Sequence, residues 1–143
     1  MKIIINRVNQ AVHLKAVNES GQSIDMDGSP GIGGEELGMR PMEVLLSSLA
    51  GCSSMDVLSI LKKMREDIQD YQVEITGERN PDEVPSIFKK IHVHFILKGD
   101  LNTKNVEKAV SLSMEKYCSV SKMLEKSAEI THSFEIQSLW TKR

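Results

Sequence analysis

A chain of 143 residues with 40% hydrophobic and 27% charged side chains fits one domain, residues 1–143, and an aromatic content of 4% makes its core aliphatic and Met-rich. A formal net charge of −2 and a pI near 6.1 exclude a protein held to nucleic acid or to a membrane surface by charge. The opening run Met1-Lys2-Ile3-Ile4-Ile5-Asn6-Arg7 is too short for a secretion signal, so a cytoplasmic location is expected, where two cysteines do not make a lasting structural bridge.

Residues 2–6 and 11–17 read as short strands around a turn at Asn9-Gln10, the second alternating Val12, Leu14 and Ala16 with His13 and Lys15. Asn18-Glu19-Ser20-Gly21 is a hairpin signal, and residues 22–26 make a third strand. The glycine-rich segment 27–34 lacks the strand–GxGxxG–helix setting of a dinucleotide site and the Lys-Ser/Thr ending of a phosphate loop. It reads as a mobile linker or lid.

Residues 40–61 then form one long helix. Pro41 suits its first turn, where a missing N–H costs nothing, and Glu43 sits near the positive helix end. Its apolar residues fall on almost every side, which predicts a buried helix, while Ser, Asp and Gly interruptions argue against a membrane span. Lys62, Lys63 and Arg65 complement its negative end.

Residues 71–78 alternate Tyr71, Val73 and Ile75 with Gln72, Glu74 and Thr76, and 80–85 is a loop. Residues 88–98 are the clearest strand, with Ile91, Val93, Phe95 and Leu97 on one face and Lys90, His92 and His94 on the other. This pattern predicts a curved antiparallel sheet wrapping the long helix. Asn102 or Thr103 caps a second helix that runs to about residue 126, with Val106, Val110, Met114, Tyr117, Cys118 and Ser121 on its stripe and a break near Cys118. Residues 129–137 make the last strand, with Ile130, His132, Phe134 and Ile136 of one parity.

Cys52 and Cys118 thus lie on apolar stripes of two helices that share one small core. Two readings stay open. A buried free cysteine commonly behaves as a small hydrophobe, but two helices in direct contact can also bring Cα atoms within the roughly 7 Å that a disulfide needs. Burial disfavours a thiolate, and lowering a thiol pKa from about 8.5 to about 6 takes roughly 3.4 kcal/mol of thiolate stabilisation. Arg40, Arg7, Arg65, Arg79 and the histidines are candidate cations for that task, and Ser48, Ser53 and Ser54 candidate hydroxyl donors. Glu43 cannot reach Cys52 of its own helix, since nine residues separate them by about 13–14 Å along the axis and half a turn.

The block Arg40-Pro41-Met42-Glu43-Val44-Leu45-Leu46, with Leu49-Ala50-Gly51-Cys52-Ser53 after it and Lys116-Tyr117-Cys118-Ser119-Val120 later, resembles the OsmC/Ohr family. Residues 52–63 and 129–135 resemble its YhfA-like branch in particular. The resemblance implies an α+β OsmC-like fold, with antiparallel sheets wrapping two central helices in an intertwined homodimer. It also implies reduction of small organic or inorganic hydroperoxides. In that chemistry Cys52 attacks and becomes a sulfenic acid, Cys118 resolves it as a disulfide, and a dithiol such as a lipoyl group restores both.

Family peroxidases carry a Glu ten residues before the first cysteine; this chain has Met42 there and Glu43 one step later, turned by about 100° on a helix. It also lacks the Gly-Arg-Asp-Gly-like turn that holds the family's arginine, leaving Arg40 as the nearest replacement. The candidate catalytic set is therefore Cys52, Cys118, Glu43 and Arg40. The alternative is a non-peroxidase dimer of the same fold that binds a small hydrophobic or thiol-bearing ligand.

His92 and His94 share a strand face without a third ligand at a telling distance, so they read as solvated, and no metal site or cofactor is expected. His132 reads as a core-edge histidine. Met39, Met42, Met55, Met64, Met114 and Met123 read as core filling.

Overall fold

The computed structural model describes residues 1–138, which divide into two units, residues 1–45 and residues from 46 onward. In the first, strands β1 (Ile3–Arg7), β2 (Leu14–Asn18) and β3 (Ser23–Met26) form an antiparallel sheet in the order β1-β2-β3. β2 starts at Leu14 rather than at residue 11, because the Asn9 side chain accepts the Ala11 and His13 amides and holds that stretch in a turn. The Arg7 guanidinium closes the same turn by donating to the Gln10 and Ala11 carbonyls. Asn18 organises the next hairpin by accepting the Ser20 and Gln22 amides, with Gly21 at φ +87° where a side chain would be strained.

The glycine-rich segment is not the loose linker expected from its composition. Asp27 is 2% exposed, and its carboxylate accepts the amides of Gly28, Glu35 and Leu37. Those amides hold its pKa below the ordinary carboxylate value against the opposing effect of burial. Gly34 is required by close packing, since a Cβ there would fall 2.0 Å from the Gly28 carbonyl oxygen.

Helix α1 (Pro41–Lys63) is the long helix expected from the sequence. Its start carries one half of a capping box: the Glu43 carboxylate accepts the Arg40 amide at 2.8 Å, while the Glu43 amide donates to the Arg40 main-chain carbonyl. Its end is a Schellman turn with Arg65 at φ +63°, where the Arg65 amide reaches Lys62 and the Glu66 amide reaches Leu61.

In the second unit, β4 (Asp70–Arg79), β5 (Phe88–Lys98) and β6 (Glu129–Gln137) form a sheet in the order β4-β5-β6. The expected all-antiparallel pattern fails at one pair, for β4 and β5 are antiparallel while β5 and β6 are parallel. The cause is the connection: α2 (Thr103–Leu112), a π turn (Ser113–Tyr117) and α3 (Ser119–Leu124) carry the chain back to the end where β5 began. Asn102 caps α2 by accepting the Lys104 and Asn105 amides. The Glu66 carboxylate accepts from the Asn102 amide and the Asn105 side chain, tying the end of α1 to the start of α2.

The inner face of β5, Ile91, Val93, Phe95 and Leu97, is buried as its alternation required, together with Val57 and Leu61 of α1 and Val106 and Val110 of α2. Each such side chain contributes about 1.5–3 kcal/mol by leaving water. α1 itself is not buried all round. Leu49, Ser53, Val57 and Leu61 form its covered stripe, whereas Met55 is 75% exposed. By length and composition α1 also passes for a membrane span. Hydrogen bonds from Tyr71 to Ser54 and from Ser113 to the Ser53 carbonyl instead tie it into the second unit.

Candidate active site

Three side chains from two parts of the second unit meet. Cys52 and Asp56 are one helical turn apart on α1 and therefore share a face. Cys118 comes from the break between the π turn and α3. The π turn is closed by the Cys118 amide donating to the Ser113 carbonyl at 2.8 Å, and Cys118 then leaves the helix with φ −67° and ψ 106°. Its Sγ accepts the Ser121 amide at 3.4 Å and so caps α3.

The two Sγ atoms and a carboxylate oxygen of Asp56 all lie within 4.8 Å of one another. Both cysteines are free; Cys118 is fully buried and Cys52 half-buried. Burial pushes the Cys118 thiol up to about 11, and the Cys52 side chain beside it adds to the rise against the pull of the Ser121 and Val120 amides. Cys118 is thus held as a thiol at neutral pH. Ser113 joins the group through Asp56, its hydroxyl 3.1 Å from both Asp56 Oδ2 and the Ser53 carbonyl oxygen.

The sequence pointed to the two sulfurs but not to Asp56 or Ser113. The available signal was the spacing: an acid within the apolar run of the helix, four residues beyond the cysteine. Ser53 and Ser54 are not free donors as the sequence suggested, because their hydroxyls donate to carbonyls one turn back on α1.

The other candidates are occupied elsewhere. Arg40 and Glu43 belong to the first unit, where they cap α1 together and Arg40 pairs with Glu36 at 2.9 Å. Arg79 lies over the Phe88 ring. His92 bridges the Thr131 and Ser133 hydroxyls, and His94 joins Ser133 and Glu135. Those two histidines form a polar ladder across β5 and β6, not a member of the cysteine group.

A family model described as OsmC-like protein matches residues 33–133, a span that holds both cysteines. The chain belongs to the OsmC family. This OsmC-like protein is 48% identical over 118 residues to Protein YhfA of Escherichia coli K12, covering 82% of this chain and 84% of that one. Its fold is similar to a crystal structure of a hypothetical protein from Aquifex aeolicus VF5, with 32% identity, TM-score 0.82 and 96% of each chain covered. It is also similar in fold to the organic hydroperoxide resistance protein OhrB of Bacillus subtilis, with 20% identity, TM-score 0.63, and 94% and 98% of the two chains covered. The mixed α+β architecture of this OsmC-like protein, two sheets with few helices, is the one expected from the resemblance.

Proposed function

We propose that this OsmC-like protein is a cytoplasmic thiol-dependent hydroperoxide reductase in which Cys52 attacks and Cys118 resolves. The observation that carries this reading is the meeting of the two sulfurs within 4.8 Å, one half-buried and reachable, the other fully buried. The Cys52 thiolate attacks the terminal peroxide oxygen, the O–O bond breaks and the sulfur becomes a sulfenic acid, while the departing alkoxide takes up the proton released by the Cys52 thiol and leaves as ROH. Cys118 then loses its proton and attacks the Cys52 sulfur; the leaving hydroxide takes up that proton and departs as water. The sulfurs close to about 2.05 Å in the disulfide. Two exchange steps with an external dithiol, of the lipoyl class, return both thiols and leave the reductant oxidised.

The working form in this proposal is a homodimer. The support is exposed apolar surface on both units: Ile3, Ile4 and Ile5 of β1 are each more than half exposed, and so is Met55 of α1. A partner chain would also give Arg40 and Glu43 a thiol to act on, since Glu43 cannot reach Cys52 along its own helix. The test is consumption of cumene hydroperoxide with dihydrolipoamide, comparing the wild type with Cys52→Ser. Equal rates, at the uncatalysed level, reject the proposal.

A second reading has its own support. Met42 occupies the position of the peroxidases' glutamate, and Glu43 spends its carboxylate on the helix cap. That favours a dimer of the same fold that binds a small hydrophobic or thiol-bearing ligand without turnover. Protection of Cys52 from alkylation by such a ligand, with no peroxide consumed, is its signature.

A further inference from the structure

Among the described residues, Cys52, Asp56 and Cys118 are the one group of three or more His, Cys, Asp or Glu side chains close enough to share an ion. Two sulfurs and one carboxylate are the donor set of a thiophilic divalent cation such as Zn²⁺. Around a tetrahedral zinc, with Zn–S near 2.3 Å and Zn–O near 2.0–2.2 Å, neighbouring ligand atoms sit about 3.5–3.8 Å apart. A spread of 4.8 Å or less reaches that by small side-chain rotations.

The surroundings resemble a supported ligand set. Ser113 lies 3.1 Å from Asp56 Oδ2, and the Ser121 amide points at Cys118 Sγ. Of the cations suggested by the sequence, Arg79 lies over the Phe88 ring and His92 and His94 are hydrogen-bonded to Ser133, so these three are engaged away from the group. We propose that the reduced protein binds one Zn²⁺-like cation per chain through Cys52 Sγ, Cys118 Sγ and an Asp56 carboxylate oxygen, with a fourth position left to water or an exogenous thiol.

Binding replaces thiol protons by the metal, so up to two protons leave as it enters and affinity rises with pH. The burial that keeps Cys118 protonated opposes binding until the metal takes that proton's place. A two-electron oxidant of the hydroperoxide class, itself reduced to alcohol and water as it takes up two protons, joins the sulfurs as a disulfide, takes away both sulfur ligands and releases the ion. Metal and disulfide are therefore alternative states of one pair. The binding stands apart from peroxide chemistry; only the consequence, that bound metal halts turnover until it is withdrawn, rests on the peroxidase reading.

The experiment is anaerobic titration of the reduced, metal-free full chain with Co²⁺, followed by displacement with Zn²⁺. The expected result is a near-ultraviolet thiolate-to-cobalt band and tetrahedral visible bands saturating at one equivalent per chain. Cys118→Ser should lose about half of the thiolate band. Asp56→Asn should keep the band while weakening binding roughly tenfold or more, and the disulfide form should show none. No thiolate band in the wild type, or Cys118→Ser and Asp56→Asn titrating like the wild type, overturns the site. Circular dichroism of each variant separates loss of a ligand from loss of fold. Cobalt binding without peroxide consumption retains the site and rejects the peroxidase; peroxide consumption without cobalt binding does the reverse.

Discussion

The Ser113 carbonyl accepts the Cys118 amide at 2.8 Å, five residues on, and this single bond takes Cys118 out of the helix that leads to it. A regular helix would pair that amide with the residue four back and continue the turn. The wider turn lets the Cys118 sulfur cap α3 while standing beside Cys52.

Cys118→Ser should stop the sequence after the first oxidation. With one equivalent of peroxide the Cys52 sulfenic acid should accumulate and be trapped by dimedone, whereas the wild type should give little adduct. Because Cys118 is held as a thiol, its fraction of reactive thiolate grows with pH. The resolving step in the wild type should therefore quicken by up to about tenfold per unit between pH 7 and 9, read by rapid-mixing fluorescence or quenched alkylation.

Two groups place a limit on alkaline stability. The Cys118 thiol is raised to about 11 and the Tyr71 hydroxyl to about 12, in each case chiefly by burial. For an acid whose folded pKa is raised, the unfolded chain loses its proton first, so stability is complete below the unfolded value and falls as pH climbs towards the folded one. Urea midpoints should hold between pH 7 and 8 and fall between about pH 9 and 11. Cys118→Ser should flatten the lower part of that decline.

Asp27 has the opposite sign. Its folded pKa is lowered, so its contribution is present above the ordinary carboxylate range and is lost as pH falls through the folded value. Asp27→Asn should be less stable than the wild type at pH 7, and the gap should narrow towards pH 3. Amide exchange at Gly28, Glu35 and Leu37, the three donors to this carboxylate, reports the loss directly.

The ends of the helices offer two smaller tests. Arg65 is exposed and adopts a left-handed conformation that glycine accepts without strain, so Arg65→Gly should stabilise the fold by about 1 kcal/mol. Asn102→Ala removes the acceptor for two amides at the start of α2 and should cost about 1 kcal/mol. Chemical denaturation of both variants measures the pair.

Strand β5 was legible because it obeys one local rule over its whole length: Ile91, Val93, Phe95 and Leu97 go in, His92 and His94 go out. Helix α1 was legible from its apolar run and from Pro41, and Asn102 from its position before α2. The parallel pairing of β5 with β6 was not, since strand direction is decided by the path of the intervening helices rather than by strand composition. Asp27 and Asp56 escaped for a related reason. Each is a single acid whose role depends on what a distant or irregular part of the chain brings to it. Arg40 and Glu43 read from the sequence as catalytic candidates, yet the Glu43 carboxylate accepts the Arg40 amide at the start of α1, a role that an arginine in the cap position does not announce.

The central claim is that Cys52 and Cys118 react with peroxide as one pair. Peptide mass spectrometry after one equivalent of cumene hydroperoxide should find Cys52 joined to Cys118 in the wild type, with dihydrolipoamide restoring both thiols. Two unmodified thiols after that treatment, or Cys52 carried on to sulfinic acid while Cys118 stays free, would contradict it.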